Sequence, residues 1–167
     1  KIVQDAKFPL LLGGEHSISL GPIRAVYKKY GKNLSVVHFD AHTDLRDEFE
    51  GTRFHHGCVM RRTIEECGIS VTHVGIRSMS QEEARYLKNS GGEHNIVFYA
   101  ERPFAPSDVV AALKEYVYIT VDVDVFDSSM MPSTGTPEPG GMTWYETLDV
   151  IRAIGKERKI IGADVVE

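Results

Sequence analysis

The chain has 167 residues, of which 42% are hydrophobic and 26% charged, with a formal net charge of −5. That length suits one domain with a sizeable core, and the composition is that of an ordinary soluble protein. No basic block offers a nucleic-acid footprint and no apolar run approaches the ~20 residues that span a bilayer, so neither a nucleic acid nor a membrane is an expected partner.

Short apolar runs rich in β-branched and aromatic residues occur at Phe8–Leu12, Leu34–Phe39, Val71–Ile76, Asn95–Tyr99, Val117–Val125 and Lys159–Val166. Continuous runs of this kind read as strands buried on both faces. Amphipathic helical stretches lie between them, at Leu20–Tyr30, Val59–Cys67, Gln81–Asn89, Ser107–Tyr116 and Thr143–Lys156. Ser107 and Thr143 read as N-caps, and Thr143 with Glu146 has capping-box spacing. The alternation predicts an α/β fold, a mainly parallel sheet between helix layers. No linker or low-complexity segment divides it, so residues 1–167 read as one domain. The first residue is Lys1 rather than Met, and the reading expects a fragment. Cys58 and Cys67 suggest neither a CxxC site nor a disulfide framework. They read as buried apolar residues of a reducing, cytoplasmic compartment.

Ligand sites in open parallel sheets form beyond the carboxyl ends of the strands. The unusual polar residues fall there. Gly13-Gly14-Glu15-His16-Ser17 follows the first strand, Asp40-Ala41-His42-Thr43-Asp44 follows the second, Asp122-Val123-Asp124 ends the fifth and Glu167 follows the sixth. Asp40, His42 and Asp44 are spaced so that an extended segment points all three one way. Taken alone they read equally as an Asx-turn and helix-cap cluster, and Asp122 with Asp124 as a strand-end ion pair. Together they are carboxylates too costly to bury without a counter-charge, which a pair of divalent cations supplies. Mixed carboxylate and imidazole donors suit manganese, with zinc, cobalt, nickel or iron as alternatives.

Gly-Gly-Glu-His occurs twice. The copy at Gly13–His16 opens a helix at the ligand end of the sheet, whereas Gly91–His94 precedes a strand and belongs at the opposite end, so His16 is the candidate ligand and His94 a turn residue. His38 and His73 lie inside strands and read as core residues or as support behind a ligand.

These motifs, together with His38-Phe39 before Asp40, Val121 before Asp122, and Gly162-Ala163-Asp164-Val165-Val166-Glu167, resemble those of the arginase–agmatinase (ureohydrolase) family in order and context. Gly135-Thr136-Pro137-Glu138-Pro139-Gly140-Gly141 looks like its substrate loop. The resemblance implies an arginase-like three-layer α/β/α fold from which amino- and carboxyl-terminal portions are absent, and a homo-oligomer, trimer or hexamer. It implies two manganese ions, one held by His16, Asp40, Asp44 and Asp122 and the other by Asp40, His42, Asp122 and Asp124. The implied reaction is hydrolysis of a small guanidino compound to urea and an amine, by hydroxide generated between two cations. Asp44 would steady the tetrahedral intermediate, and Glu167 would grip the guanidinium. His56 would give the leaving amine its proton, with the adjacent His55 a competitor for that role. Thr136 reads either as a substrate-positioning residue or as a turn residue among prolines and glycines. Asp44-Leu45-Arg46-Asp47-Glu48-Phe49-Glu50-Gly51 is similar to agmatinases, which points to agmatine, with arginine, guanidinobutyrate and formimidoylglutamate as alternatives. Asp127-Ser128-Ser129-Met130-Met131-Pro132-Ser133 departs from the family's pattern. Two other classes remain: a metal-binding relative without catalysis, and a nucleotide-binding module, which the missing GxGxxG opposes.

Overall fold

The structure, a computed structural model, describes residues 2–5, 7–89 and 93–167. Six strands form one sheet among the described residues: β1 (Leu10–Leu12), β2 (Leu34–Phe39), β3 (Ser70–Ile76), β4 (Asn95–Tyr99), β5 (Tyr116–Asp122) and β6 (Lys159–Val166). Their spatial order is β1-β6-β5-β2-β3-β4, and every pairing is parallel. The helices are α1 (Leu20–Tyr30), α2 (Val59–Cys67), α3 (Gln81–Asn89), α4 (Pro106–Ala111) and α5 (Trp144–Glu157).

Side chains alternate across the sheet, so one strand feeds two cores. Val37 and Phe39 of β2 pack with Val109 and Val110 of α4 and Val150 and Ile154 of α5. Leu34 and Val36 pack on the opposite face with Ile23 and Val26 of α1 and Met60 and Ile64 of α2. The result is the three-layer arrangement expected. Each such side chain, fully buried, stabilises the fold by roughly 1.5–3 kcal/mol relative to exposure.

Several local expectations are corrected. Phe8 and Pro9 are not in the first strand: Pro9 has no N–H to give a ladder, although its carbonyl accepts from Ala163 N at 3.0 Å. β1 is an edge strand rather than one buried on both faces, with Leu10 59% and Leu12 77% exposed. The fourth helix is capped at Ala105, not Ser107, and Asp108 Oδ2 accepts from Ala105 N at 2.8 Å. It ends at Ala111, where the Arg158 guanidinium takes up the carbonyls of Val110 (2.9 Å) and Leu113 (3.2 Å), and Tyr116 passes into β5. β5 stops at Asp122 instead of Val125, because Asp122 Oδ1 accepts from Asp124 N at 2.9 Å and caps a 3-10 turn over Val123–Val125. The Thr143–Glu146 capping box forms, with Glu146 Oε2 accepting from Thr143 N at 2.8 Å. Cys58 and Cys67 are buried free thiols.

The chain steps outward from β2 to β3 and β4, then returns to place β5 on the other side of β2. Connections leaving in opposite directions open a crevice at the carboxyl ends of β2 and β5. Asp40 and Asp122 stand at those two ends.

Candidate active site

Glu15 caps a 3-10 turn over His16–Ser19 and sends the His16 ring inward, where it is fully buried. Its Nε2 lies 2.7 Å from Thr120 Oγ1, whose hydroxyl donates to Asp164 Oδ1 at 2.6 Å. Tyr118 OH donates to the other oxygen of Asp164 at 2.7 Å. With its hydrogen given to Asp164, Thr120 must accept from His16, so Nε2 carries a proton and Nδ1 is the nitrogen turned outward toward the carboxylates. Nδ1 has no hydrogen-bond partner among the described residues. It lies 3.2 Å from Asp40 Oδ2 and 3.3 Å from Oδ2 of both Asp44 and Asp122.

A second cluster adjoins it. His42 Nδ1 lies 3.3 Å from Asp40 Oδ1 and 3.0 Å from Asp124 Oδ2. Asp40 therefore divides its oxygens, one to each cluster. Asp122 directs Oδ2 to the first and commits Oδ1 to the Asp124 backbone. Asp124 Oδ1 accepts from Ala41 N at 2.9 Å, which ties the β5 turn to the end of β2. Asp44 has φ 53°, a left-handed conformation that is strained for a non-glycine residue. Glu83 of α3 holds the turn around it, its Oε1 accepting from the Thr43 hydroxyl (2.8 Å) and from Leu45 N (3.0 Å).

So many lone pairs cannot face one another without positive charge between them. Burial opposes charging His16, yet Asp122 and Asp40 outweigh it and hold its pKa well above the imidazole range. Burial likewise opposes His42, but Asp124 and Asp40 push it up to about 11. Burial and then the Asp40 charge raise Asp44 well above the carboxylate range and Asp122 to about 7. Asp40 goes the other way: burial resists its charge, but His38, His16 and His42 hold it well below that range. Protons thus gather wherever cations are absent. The donors fit two divalent cations as well. Ligands about 2.0–2.2 Å from one ion lie about 3.0–3.6 Å apart, and the histidine-to-carboxylate separations in both clusters fall in that interval.

A cavity of about 310 Å³ opens over these groups, lined among others by His42, Asp44, Arg46, Phe49, His56, Asp122, Thr136 and Glu167. Glu167 continues from β6 with φ 62°, and its N–H donates to Gly14 O at 3.0 Å. Its Oε1 accepts from His16 N at 2.9 Å. His56 Nδ1 lies 3.6 Å from Glu167 Oε1 and 3.7 Å from Glu15 Oε2. Burial and then the neighbouring His55 charge lower the His56 pKa. His55 is turned elsewhere: its Nδ1 accepts from Gly57 N at 3.4 Å, its ring meets Phe49 edge-on, and it does not line this cavity. Thr136 donates to Asp124 Oδ2 at 3.3 Å, which brings the 135–141 loop to the cluster. The Arg46 guanidinium lies over the Phe49 ring, 4.6 Å from its centroid.

His94 precedes β4 at the far end of the sheet, away from these groups, and Gly91 and Gly92 lie outside the described residues. Sequence reasoning assigned no part to Thr120, Tyr118, Asp164, Glu83 or Arg77. An aspartate within the apolar run Lys159–Val166 was the available signal for Asp164. Arg77 carried none, yet its guanidinium donates to the carbonyls of Gly75, Asp124, Val125, Phe126, Glu138 and Pro139.

The family model described as the Arginase family matches residues 1–167. The chain is 43% identical over 166 residues to the agmatinase of Pyrococcus horikoshii, covering 99% of this chain and 56% of that protein. It is 40% identical over 171 residues to the N(1)-aminopropylagmatine ureohydrolase of Synechocystis sp., covering 99% and 54%. Among solved structures, a putative agmatinase from Clostridium difficile superposes with a TM-score of 0.86 at 35% identity, covering 99% of this chain and 60% of that one. The arginase of Bacillus caldovelox superposes with a TM-score of 0.86 at 26% identity, covering 99% and 62%. The chain spans a little over half the length of the curated relatives it matches. With the match running its whole length, the chain belongs to the arginase family.

Proposed function

We propose that this chain carries the catalytic centre of a two-cation ureohydrolase, which cleaves a guanidino compound to urea and an amine. The observation that carries the reading is His16 Nδ1, buried with no hydrogen-bond partner among the described residues and faced by Asp40, Asp44 and Asp122, beside a second cluster that shares Asp40. His16, Asp40, His42, Asp44, Asp122 and Asp124 would hold two divalent cations, manganese by the chemistry of the donor set. Bound there, the pair supplies the Lewis acidity that brings a water's pKa toward neutrality.

The remaining steps fall to the chain's own residues. Glu167 is held by His16 N through Oε1 and lines the cavity, where its carboxylate would accept the guanidinium N–H groups with Thr136 alongside. Asp44, at the cavity floor, accepts a hydrogen bond from the attacking group and orients it. His56 lines the same cavity and delivers the proton that the departing amine needs. We place these residues in one catalytic domain, and read the protein as a cytoplasmic homo-oligomer, trimer or hexamer, on the family resemblance. No helix among the described residues is long and apolar enough to cross a membrane.

Agmatine is the favoured substrate. Relatives named agmatinase and relatives named N(1)-aminopropylagmatine ureohydrolase match at similar identity, so the amine tail is the open variable. The test is urea release from agmatine, N(1)-aminopropylagmatine, arginine and guanidinobutyrate under one metal condition. The reading expects the two amine-tailed compounds to lead. A preference for arginine or guanidinobutyrate would overturn the substrate assignment, and absence of urea from all four would overturn the hydrolase.

A further inference from the structure

Glu15 belongs to a motif whose histidine the reaction uses and whose carboxylate it does not. That carboxylate stands at the cavity mouth. Its Oε2 accepts from Ser17 N at 3.2 Å and its Oε1 accepts from the Ser17 hydroxyl, so it is held on the turn that carries His16. Glu167 is fastened to the same turn through His16 N. His56 stands between the two carboxylates, on a 3-10 turn over His56–Cys58 that His55 caps. Three donors from three separate segments of the chain thus meet at one point. His56 Nδ1 is 3.7 Å from Glu15 Oε2 and 3.6 Å from Glu167 Oε1, and all three ligand atoms lie within 4.8 Å of one another.

We propose that Glu15, His56 and Glu167 form a third divalent-cation site, at the mouth of the cavity and separate from the paired centre, suited to zinc and inhibitory when filled. Donors at about 2.0–2.2 Å from a tetrahedral zinc stand about 3.4 Å apart, so His56 Nδ1 is within a few tenths of an ångström of that spacing from each carboxylate, and the two carboxylates lie within 4.8 Å of each other. One imidazole nitrogen and two carboxylate oxygens are a zinc donor set, and they carry enough negative charge to neutralise the ion. The side chains of Glu15 and His56 are 48% and 38% exposed, which leaves solvent access for a water in the fourth position.

The functional consequence rests on the reading of Glu167 and His56 given above. An ion held here occupies the imidazole that would deliver the proton and the carboxylate that would grip the guanidinium. Excess zinc would then compete with the guanidino substrate, even with the paired centre filled.

The test uses the metal-loaded protein dialysed against buffered zinc, with total divalent metal per chain counted by elemental analysis. Wild type should bind one ion beyond those of the paired centre. Glu15→Gln keeps an acceptor for Ser17 but loses the charge, and should bind that extra ion at least about tenfold more weakly. His56→Asn should lose it as well. In turnover, zinc should raise the apparent KM of wild type far more than that of Glu15→Gln, each compared with its own zinc-free value. A wild-type count that never exceeds the paired centre, or an extra ion retained equally by Glu15→Gln, would overturn the site. A protein that binds the extra ion through Glu15 yet releases no urea would overturn the hydrolytic reading and support this one.

Discussion

His38 Nε2 lies 2.7 Å from Asp40 Oδ2, two residues along β2, and its other ring nitrogen lies 2.9 Å from His73 Nδ1. His73 Nε2 in turn meets Asn95 at 3.1 Å, so a hydrogen-bonded row runs across β2, β3 and β4 to the carboxylate shared by both clusters. Burial lowers the His38 pKa, and burial, with His38 adding to it, lowers that of His73 to about 3, so the His73 ring is neutral at ordinary pH. His73 Nε2 donates to Asn95 Oδ1 at the far end of the row. The row holds the Asp40 carboxylate in the orientation that serves two sites at once.

His38→Ala therefore frees Asp40 to rotate and should weaken divalent-metal binding by about 10–100-fold, the usual effect of losing the group behind a ligand. Competition against a chromophoric chelator measures this. Unchanged affinity would mean that Asp40 is held by its other contacts alone.

Proton linkage gives a second expectation. His16 and His42 have folded pKa values raised above the unfolded imidazole value of 6.5, to about 11 for His42. Their contribution is full below 6.5 and is lost progressively as pH rises toward the folded values. Asp44 and Asp122 act in the same sense at lower pH, Asp122 between 3.8 and about 7. His38 and His73 act oppositely, since their depressed values remove stability as pH falls below 6.5. Above about pH 7 only the losing terms remain. The metal-free protein should therefore melt at lower temperature as pH rises from about 7 to 10. With saturating divalent metal that fall should largely disappear, because bound cations replace those protons. Melting curves in chelator and in metal across that range decide it, and parallel slopes would contradict the proton assignment.

Arg77 fastens the 135–141 loop and the Asp124 turn to the end of β3 through six backbone carbonyls, the shortest contact being 2.6 Å to Asp124 O. Arg77→Ala should destabilise the fold by about 2–4 kcal/mol, from carbonyls left without donors in a half-buried site. Arg77→Lys should restore less than half of that, because an ammonium cannot span the planar array. Denaturant midpoints for the three proteins measure both effects, and full rescue by lysine would show that charge rather than geometry matters.

Glu167→Gln and His56→Ala should fail differently. Removing the Glu167 charge costs about 2–5 kcal/mol of substrate binding, seen in both KM and kcat, because the same contact aligns the guanidinium. His56→Ala should lower kcat by roughly 10²–10⁴ with little change in affinity. His55→Ala should lower kcat less than His56→Ala, since His55 caps the turn that carries His56 and packs on Phe49 without lining the cavity. A turnover defect in His55→Ala without one in His56→Ala would reverse the assignment. Metal content should be unaltered in all three.

The strand–helix alternation and the strand-end positions of the polar residues were legible because both follow from periodicity and from parallel-sheet geometry. How those residues reach one another was less so. Asp40, His42 and Asp44 read as one extended run, yet Asp44 has φ 53° and meets the cluster through a turn that Glu83 of α3 holds. Asp122 and Asp124 read as neighbours on a strand, and the structure bends the chain between them with an Asp122 cap. The row from Tyr118 through Asp164 and Thr120 that sets the His16 tautomer joins β5, β6 and the turn after β1, and no local pattern announces it. The edge position of β1 was equally hidden, because an apolar run does not say how many neighbours it will have.

The central claim is that hydrolysis depends on cations held by His16, Asp40, His42, Asp44, Asp122 and Asp124. Its most direct test is urea released from agmatine by the protein stripped with chelator and then titrated with Mn²⁺, with bound metal counted at each step. The account predicts no urea at zero metal, and activity that reaches its plateau as the second ion per chain binds. Undiminished urea release in chelator, or a plateau reached with no metal bound, would contradict it.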